Sequence, residues 1–527
     1  MNISAVFIAF QEVENLGIGY MSSVLSESNY STRIIDFKTG RENILVKLQK
    51  YKPILVGFSV IFEHHIYEFR DLVEYLRNNG IRSHFTAGGH YASMRVDDLF
   101  TIIPSLDSIV MFEGEHTILE LVNHICSGEN WKSIIGLSYQ ADGVTVKNPL
   151  RPLEINLDNF PFPDRTRISE YSLGVNFATL LAGRGCVYNC SFCDIKEFYG
   201  KPPGPLKRIR EPGKVVDEIE YLYSKKNCKV FLFQDDDFPV ITKAGSGWVK
   251  EFCNEMNARD LVGSIMWKIN CRPDEVDYDN FSMMKDHGLF KVFLGIEDGT
   301  EGGLASMNKQ ISVAGNTRGL NVLKKLNIGI DFGFMLFQPS TTYLSLLENI
   351  DYLESICGDG YMPVTFLKMK PYFGTRVERD LRSNGRIKGN PGFFDYSYSD
   401  NKLDCFEQVV FEGFSAWLTS PDGLVNVAKW ARNHIAIYSA FYKHPERCTE
   451  LIFELENIVS EINRFIISAM RELLSTIYSE NYLRIRENDT RKIMNRIDKQ
   501  HGQYLERVTE IIGKVEMLVL TESFFMA

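Results

Sequence analysis

Along residues 1–130, short apolar runs alternate with amphipathic stretches. Residues 4–9 read as a strand, and a polar loop leads into a helix over 17–25. Residues 32–36 and 54–60 read as the second and third strands, with a helix over 66–79. Residues 84–87 then run into Gly88–Gly89, and 108–111 into Glu113–Gly114–Glu115. Strands and helices in alternation, with β-branched strands apolar throughout, predict an α/β fold with a doubly wound, Rossmann-like parallel sheet. Such sheets bind ligands beyond the carboxyl ends of their strands, which here are residues 11–17, 59–63, 88–90 and 113–115. Those loops suit a large ligand.

Residues 131–175 carry Pro149, Pro152, Pro161 and Pro163 and read as a linker. From Ala178 a second series begins, with strands over 179–183, 230–234, 265–270, 291–295, 329–336 and 364–369. Helices fit between them, for example over 214–225 and 342–355. Six such units in about 200 residues predict a partial (β/α)6 barrel of TIM type, with its chemistry at the strand carboxyl ends. Beyond about residue 384 the strand signal ends. Leu451, Leu455, Ile458, Ile462, Phe465, Ala469, Leu473 and Ile477 form one apolar helical stripe within 446–480. The expected organisation is a sheet domain over 1–140, a linker over 141–175, the barrel over 176–385 and an all-α domain over 386–527.

A chain of 527 residues is too long for a single core. Its 44% apolar and 24% charged content excludes a disordered or fibrous protein. The net charge of −10 gives no reason to expect nucleic acid or an anionic membrane as partner. No run approaches the ~18 apolar residues that span a bilayer. Residues 1–10 are apolar but lack a basic flank and a cleavage site, so no secretory signal is expected. The ten cysteines are dispersed apart from Cys186, Cys190 and Cys193, which points to a reducing cytoplasm.

Those three thiols stand at C-x3-C-x2-C directly after the first barrel strand. Three close thiolates can each bind one iron of a 4Fe-4S cubane, whose usual complement is four. A missing fourth protein ligand leaves one iron open to another molecule. Structural zinc is the alternative, but it wants a fourth Cys or His nearby, and the next cysteine, Cys228, lies on another element. Cys228 and Cys271 read as core thiols.

With Phe192 before the last cysteine, this motif resembles that of the radical S-adenosylmethionine (SAM) superfamily. The resemblance implies that the open iron chelates the amino and carboxylate groups of SAM. An electron from the cluster then cleaves SAM to a 5′-deoxyadenosyl radical. It continues at the expected strand ends. Gln234, Asp235, Asp236 and Asp237 are placed to accept from the SAM ammonium, and Arg272 to pair with its carboxylate. Glu297 is placed to accept from the ribose hydroxyls, with Phe334 and Leu367 flanking the adenine. Arg208 and Arg210, in a basic stretch after the cysteines, read either as a solvated loop or as groups that steady the loop or substrate anions.

The first domain resembles the cobalamin-binding domain fused ahead of such barrels. Asn15, Leu16 and Gly17, then Ser59, then Gly88, Gly89 and His90, then Glu113, Gly114 and Glu115 carry the likeness. Cobalamin mutases and methionine synthase have D-x-H-x-x-G, whose His ligates cobalt. Here the same register reads Glu12-Val-Glu14-Asn-Leu-Gly17, so Glu14 replaces the imidazole and a base-off form is expected. Ser59, Ile61, Phe62 and Glu63 then face the lower side of cobalt; His64 and His65 read as exposed or capping residues rather than ligands.

The combined resemblance implies a cobalamin-dependent enzyme that methylates an unactivated carbon of a small-molecule or peptide substrate. It would consume two SAM per turnover and draw on an external flavodoxin- or ferredoxin-type electron donor. Rearrangement, ring contraction and oxidative cyclisation with the same cofactors stay open, as does a cobalamin or redox sensor. Methylthiolation of tRNA would need a cysteine-bearing first domain, and residues 1–150 hold only Cys126. The C-terminal helices either cover the barrel mouth or serve packing and dimerisation, and Tyr396, Tyr398, Phe411 and Trp417 are candidates to line a pocket.

Overall fold

Five parallel strands open the chain in the computed structural model, which describes residues 3–11, 14–240, 247–442, 445–479 and 488–526. They are β1 (Ala5–Ala9), β2 (Thr32–Asp36), β3 (Leu55–Ser59), β4 (His84–Gly88) and β5 (Ser108–Val110), in the order β2–β1–β3–β4–β5. Alternate residues of β1 feed two cores. Val6 and Ile8 pack with Val56 and Phe58 on one face, and Ala5, Phe7 and Ala9 with Leu55 on the other. Each large side chain so buried contributes about 1.5–3 kcal/mol. Gly57 admits the Phe7 ring, which would lie 2.6 Å from any Cβ there. This strand order puts the switch point between β1 and β3, where the chain leaves in opposite directions and a crevice opens at the carboxyl ends.

Residues 137–147, within the proline-punctuated stretch, carry more structure than a linker. They form a hairpin of β6 (Leu137–Ala141) and β7 (Val144–Lys147) that extends the sheet antiparallel from β5. Asp142 at φ 50° and Gly143 at φ 75° make its two-residue turn, the geometry an Asp-Gly pair favours. All four prolines fall after the hairpin, so they do not interrupt it.

Next come β8 (Ser169–Ser172) and β9 (Val175–Leu180), then a small ladder of β10 (Gly183–Arg184) with β11 (Arg208–Ile209). The barrel strands β12 (Cys228–Phe233), β13 (Met266–Cys271), β14 (Leu289–Glu297) and β15 (Gly329–Phe334) complete a sheet ordered β15–β14–β13–β12–β9–β8. Strands β12 to β15 pair in parallel, as a partial barrel requires, and β8 returns antiparallel to β9. The first barrel strand begins earlier than the pattern over 179–183 places it. Residues 183–184 pair instead with 208–209 across Gly183, whose missing Cβ leaves Arg208 O room at 2.7 Å.

Residues 364–369 are not a full sixth strand; a single parallel bridge, Phe337–Lys368, joins them to the continuation of β15. Leu367 N donates to Phe334 O (2.9 Å) and Met369 N to Phe337 O (2.8 Å). One side advances three residues where the other advances two, which breaks the ladder.

Helices Asn401–Leu418, Leu424–Phe441, Pro445–Tyr478 and Asn488–Met526 form the C-terminal part. Of the stripe in Pro445–Tyr478, Leu451, Leu455, Ile458, Ile462, Ala469, Leu473 and Ile477 are buried, and Phe465 stacks on Trp417 at 5.7 Å. Tyr396, Tyr398 and Trp417 are themselves buried, and Phe411 is half-buried against Phe337. Among the described residues no helix is long and apolar enough to cross a membrane. The chain divides into two compact units: residues 1–168, 179–218 and 370–395 form one, and 169–178, 219–369 and 396–527 the other.

Candidate functional site

The cysteine loop belongs to the first unit and is anchored at both ends. Gly185, at φ 83°, passes so close to Leu206 O that a Cβ would sit 1.8 Å from it. Cys193 N closes a turn onto Cys190 O at 3.2 Å, and Val377 N donates to Ser191 O at 3.1 Å. Cys186, Cys190 and Cys193 are half-buried, none of the ten cysteines forms a disulfide, and Phe192 is also half-buried.

Two buried charge networks brace this loop. Arg184 pairs with Glu113 (3.1 Å) and Glu115 (2.7 Å), and Arg208 with Glu113 (2.8 Å). Burial alone would raise the Glu113 carboxyl, but Arg184 and Arg208 outweigh it and hold the group below its ordinary range. In the second network Glu218 joins Arg165 (3.1 Å) to Arg210 (2.7 Å), and Arg210 reaches Asp158 at 3.0 Å. Glu14 pairs with Arg165 (3.1 Å) and accepts from Thr179 N (2.7 Å) and Thr179 Oγ1 (2.9 Å). Arg208 and Arg210 are therefore committed to protein carboxylates. Glu14, Glu113 and Glu115 are in turn committed to arginines. Their partners Arg165 and Arg184 escaped the sequence reading, because a buried arginine carries no local pattern that separates it from a surface one.

Between the carboxyl ends of β1 and β3, Asn15 Nδ2 donates to Ser59 Oγ (3.1 Å) while its Oδ1 caps the helix Leu16–Glu27 at Ile18 N (3.2 Å). Leu16 is buried in that helix, and Gly17 has only Asn15 Oδ1, at 3.6 Å, near a would-be Cβ. Gly88 lies against Val110 O, and Gly89, at φ 111°, would bring a Cβ within 2.8 Å of Val60 O. Gly114 leaves room for Met21. His90 stacks on Phe198 at 3.9 Å and stands 3.7 Å from Asp194, just after the cysteines. Phe62 is exposed over His64, Ile61 is half-buried, and His65 stacks on Phe10 and pairs with Glu68. Burial pushes the Glu63 carboxyl up to about 7, against Lys370 and Arg95. Glu12, the other acid of the register comparison, lies outside the described residues.

In the second unit the strand ends sort the acidic run. Asp235 and Asp237 are buried, whereas Gln234 and Asp236 are exposed. Asn270 braces the turn, donating to Asp235 O (3.1 Å) and accepting from Phe238 N (3.1 Å). Arg272 is held by Asp274 (2.9 Å) and donates to Lys309 O at 2.7 Å. Glu297 ends β14 at φ 68° beside a register shift, a strained conformation costing about 1–3 kcal/mol. Its carboxylate pairs with Lys309 Nζ (3.2 Å) in a cradle where a Cβ on Gly295 would lie 2.6 Å from it and one on Gly333 3.3 Å. Lys309, buried and central to this arrangement, follows a helix end and carries no motif, so sequence reasoning missed it. Phe334 is fully buried and Leu367 is exposed. Cys271 is buried in the core, and burial pushes its thiol well up.

The donor sets fit three groups. Among the described residues no three Cys, His, Asp or Glu side chains converge on one point as a single zinc ion needs, whereas a cubane takes each thiolate on a different iron. At the carboxyl ends of the first sheet, Gln11 Nε2, Glu63 Oε2 and Tyr91 Oη are buried without a hydrogen-bond partner, which suits the many amides around a corrin. In the second unit, the cradle around Glu297 and the buried Asp235 and Asp237 suit a hydroxyl- and ammonium-bearing nucleoside.

Comparison with known proteins agrees. Residues 6–122 match the B12 binding domain family, and residues 180–353 the radical SAM superfamily. The chain is 26% identical over 474 residues to an uncharacterized methyltransferase of Pyrococcus horikoshii, a match covering 88% of this chain and 94% of that protein. It is 27% identical over 382 residues to an anaerobic magnesium-protoporphyrin IX monomethyl ester cyclase of Rubrivivax gelatinosus, covering 68% of this chain and 66% of that one. Among solved structures, the cobalamin-dependent SAM radical enzyme OxsB with aqua-cobalamin and SAM bound aligns with a TM-score of 0.69 at 17% identity, over 99% of this chain and 80% of that chain. At that identity the likeness is one of fold.

Proposed function

From a chain that belongs to the radical SAM superfamily and carries a B12-binding domain ahead of its partial barrel, we propose methyl transfer to an unactivated carbon of a small-molecule or peptide substrate. The protein is a radical SAM enzyme whose cofactors are a 4Fe-4S cluster, SAM and cobalamin. When bound, these supply a carbon radical able to take hydrogen from an unactivated carbon and a methyl group to put in its place, chemistry beyond acid–base side chains.

One observation carries the reading. Arg184, Arg208 and the His90–Phe198 stack tie the cysteine loop to the corrin-side loops within one compact unit. Joining those loops rigidly supports a reaction in which both cofactors address one carbon, where misplacement would cost rate steeply.

On this reading Cys186, Cys190 and Cys193 hold three irons. Asp235 and Asp237 accept from the SAM ammonium and Glu297 from its ribose, with Lys309 fixing the carboxylate. Gln11, Glu63 and Tyr91 turn their buried polar atoms to the corrin amides. Glu63, half protonated near neutral pH, can donate as well as accept. Glu14 stands where an imidazole would be and is already bound to Thr179 and Arg165, which supports a base-off cobalamin. The donor of electrons is a flavodoxin- or ferredoxin-type protein, and ten cysteines without a disulfide suit a reducing, cytoplasmic setting.

The test is turnover of the reconstituted enzyme with methyl-labelled SAM and candidate substrates. Label in the product is expected. Deoxyadenosine formed with no label transferred would replace this reading with a second one, radical cyclisation, which the similarity to the magnesium-protoporphyrin ester cyclase favours.

A further inference from the structure

A cavity of about 390 Å³ lies in the second unit, at the amino ends of β13, β14 and β15 and against helices Leu424–Phe441 and Pro445–Tyr478. These strand ends are opposite to those that carry the SAM-binding residues. The size is that of a metabolite site.

Its charge is unbalanced. Lys291 pairs with Asp331 Oδ2 at 2.6 Å and donates to Asn433 Oδ1 at 3.2 Å. Lys268, the neighbour of Lys291 across β13 and β14, lies outside the cavity lining and donates to the neutral Asn270 Oδ1 at 2.6 Å. Lys429 lines the same cavity, and its ammonium makes no hydrogen bond or ion pair among the described residues. The other charges cancel: Arg432 is paired with Glu456 at 3.0 Å, and Lys285 and Asp286 offset each other at the rim. Within the cavity the Lys291 and Lys429 ammonium groups thus face one carboxylate, and Asp331 Oδ1 is buried without a partner. Like charges side by side in a sheet are destabilising. Burial pushes Lys268 down to about 8 and lowers Lys429 too, with Asp331 opposing and Lys291 reinforcing both shifts.

We propose that this cavity binds a small anion, a phosphate or a dicarboxylate, that also carries a hydroxyl. Its negative charge matches the uncompensated Lys429 ammonium, and the hydroxyl donates to Asp331 Oδ1. Carboxylates and phosphates are the groups that ammonium donors satisfy best.

The full-chain enzyme, with cluster and cobalamin in place, is titrated with inorganic phosphate and separately with malate at constant ionic strength, reading the thermal-unfolding midpoint. A saturable rise with phosphate assigns a phosphate, and one with malate a dicarboxylate. In Lys429→Met the apparent affinity is expected to fall at least tenfold. Asn433→Asp, which adds a carboxylate without removing a cation, is expected to abolish the rise. No saturable rise with either anion overturns the proposal, and so does a rise of unchanged affinity in both variants.

Discussion

The arginine networks of the first unit and one lysine cluster of the second bury charge in opposite ways. In the first, Arg165, Arg184, Arg208 and Arg210 face Glu14, Glu113, Glu115, Asp158 and Glu218, every arginine within 3.1 Å of a carboxylate. In the second, Lys268, Lys291 and Lys429 share Asp331 alone. Guanidinium forks satisfy two oxygens in fixed geometry and suit permanent architecture, whereas ammonium groups are point donors that readily shift their pKa when buried. A matched network holds parts of a protein in register. An unmatched one stores binding capacity.

Experiments can break or sharpen that contrast, beginning where the effect is greatest. Cys186→Ala, Cys190→Ala and Cys193→Ala each remove a thiolate from the loop that the matched network braces. Deoxyadenosine formation by the reconstituted protein is expected to vanish, and retained SAM cleavage in any of them would remove that residue from the ligand set.

Glu218→Gln leaves Arg165 and Arg210 short of one buried negative charge. Such a break costs about 3–5 kcal/mol, read as a lowered urea midpoint. A loss below about 1 kcal/mol would place this network with exposed ion pairs.

Glu63 gives a smaller effect, since its partly exposed side chain is screened by solvent. Its carboxyl is raised by burial from the ordinary range to about 7. The folded chain therefore binds more protons than the unfolded one between about pH 4 and 7. Its contribution to stability is full below that window and is lost as pH rises through it. Glu63→Gln is expected to flatten this part of the stability profile, and an unchanged slope would show that another group titrates there.

The smallest effect is predicted in the second unit. Lys268→Met removes a charge from a cluster already in excess, so stability in anion-free buffer is expected to change by less than about 1 kcal/mol or to rise. A loss comparable to that of Glu218→Gln would erase the difference between the two units.

Legibility followed the range of the interactions. The parallel sheet was readable because strands such as β1 are apolar on both faces, and the thiol motif because its ligands lie within eight residues of one another. The Asp-Gly turn at 142–143 was also a local signal, overshadowed by the prolines that follow it. The sixth barrel strand misled for a different reason: residues 364–369 have strand-like composition, but the ladder fails through the spacing of their partner at 334–337. Composition does not encode a partner's register.

By itself, then, the order of residues determined the two α/β halves, the helical C-terminal part and the three-thiol motif, since each rests on periodicity or spacing within a short segment. Tertiary structure alone decided which acids are engaged and which stay available. Glu14, Glu113 and Glu63 look alike in a string of letters, yet arginines from residues 165, 184 and 208 occupy the first two and leave one oxygen of the third buried without a donor. Charge compensation is a matter of distance through space and of exclusion from water, and neither is a property of neighbours along the chain.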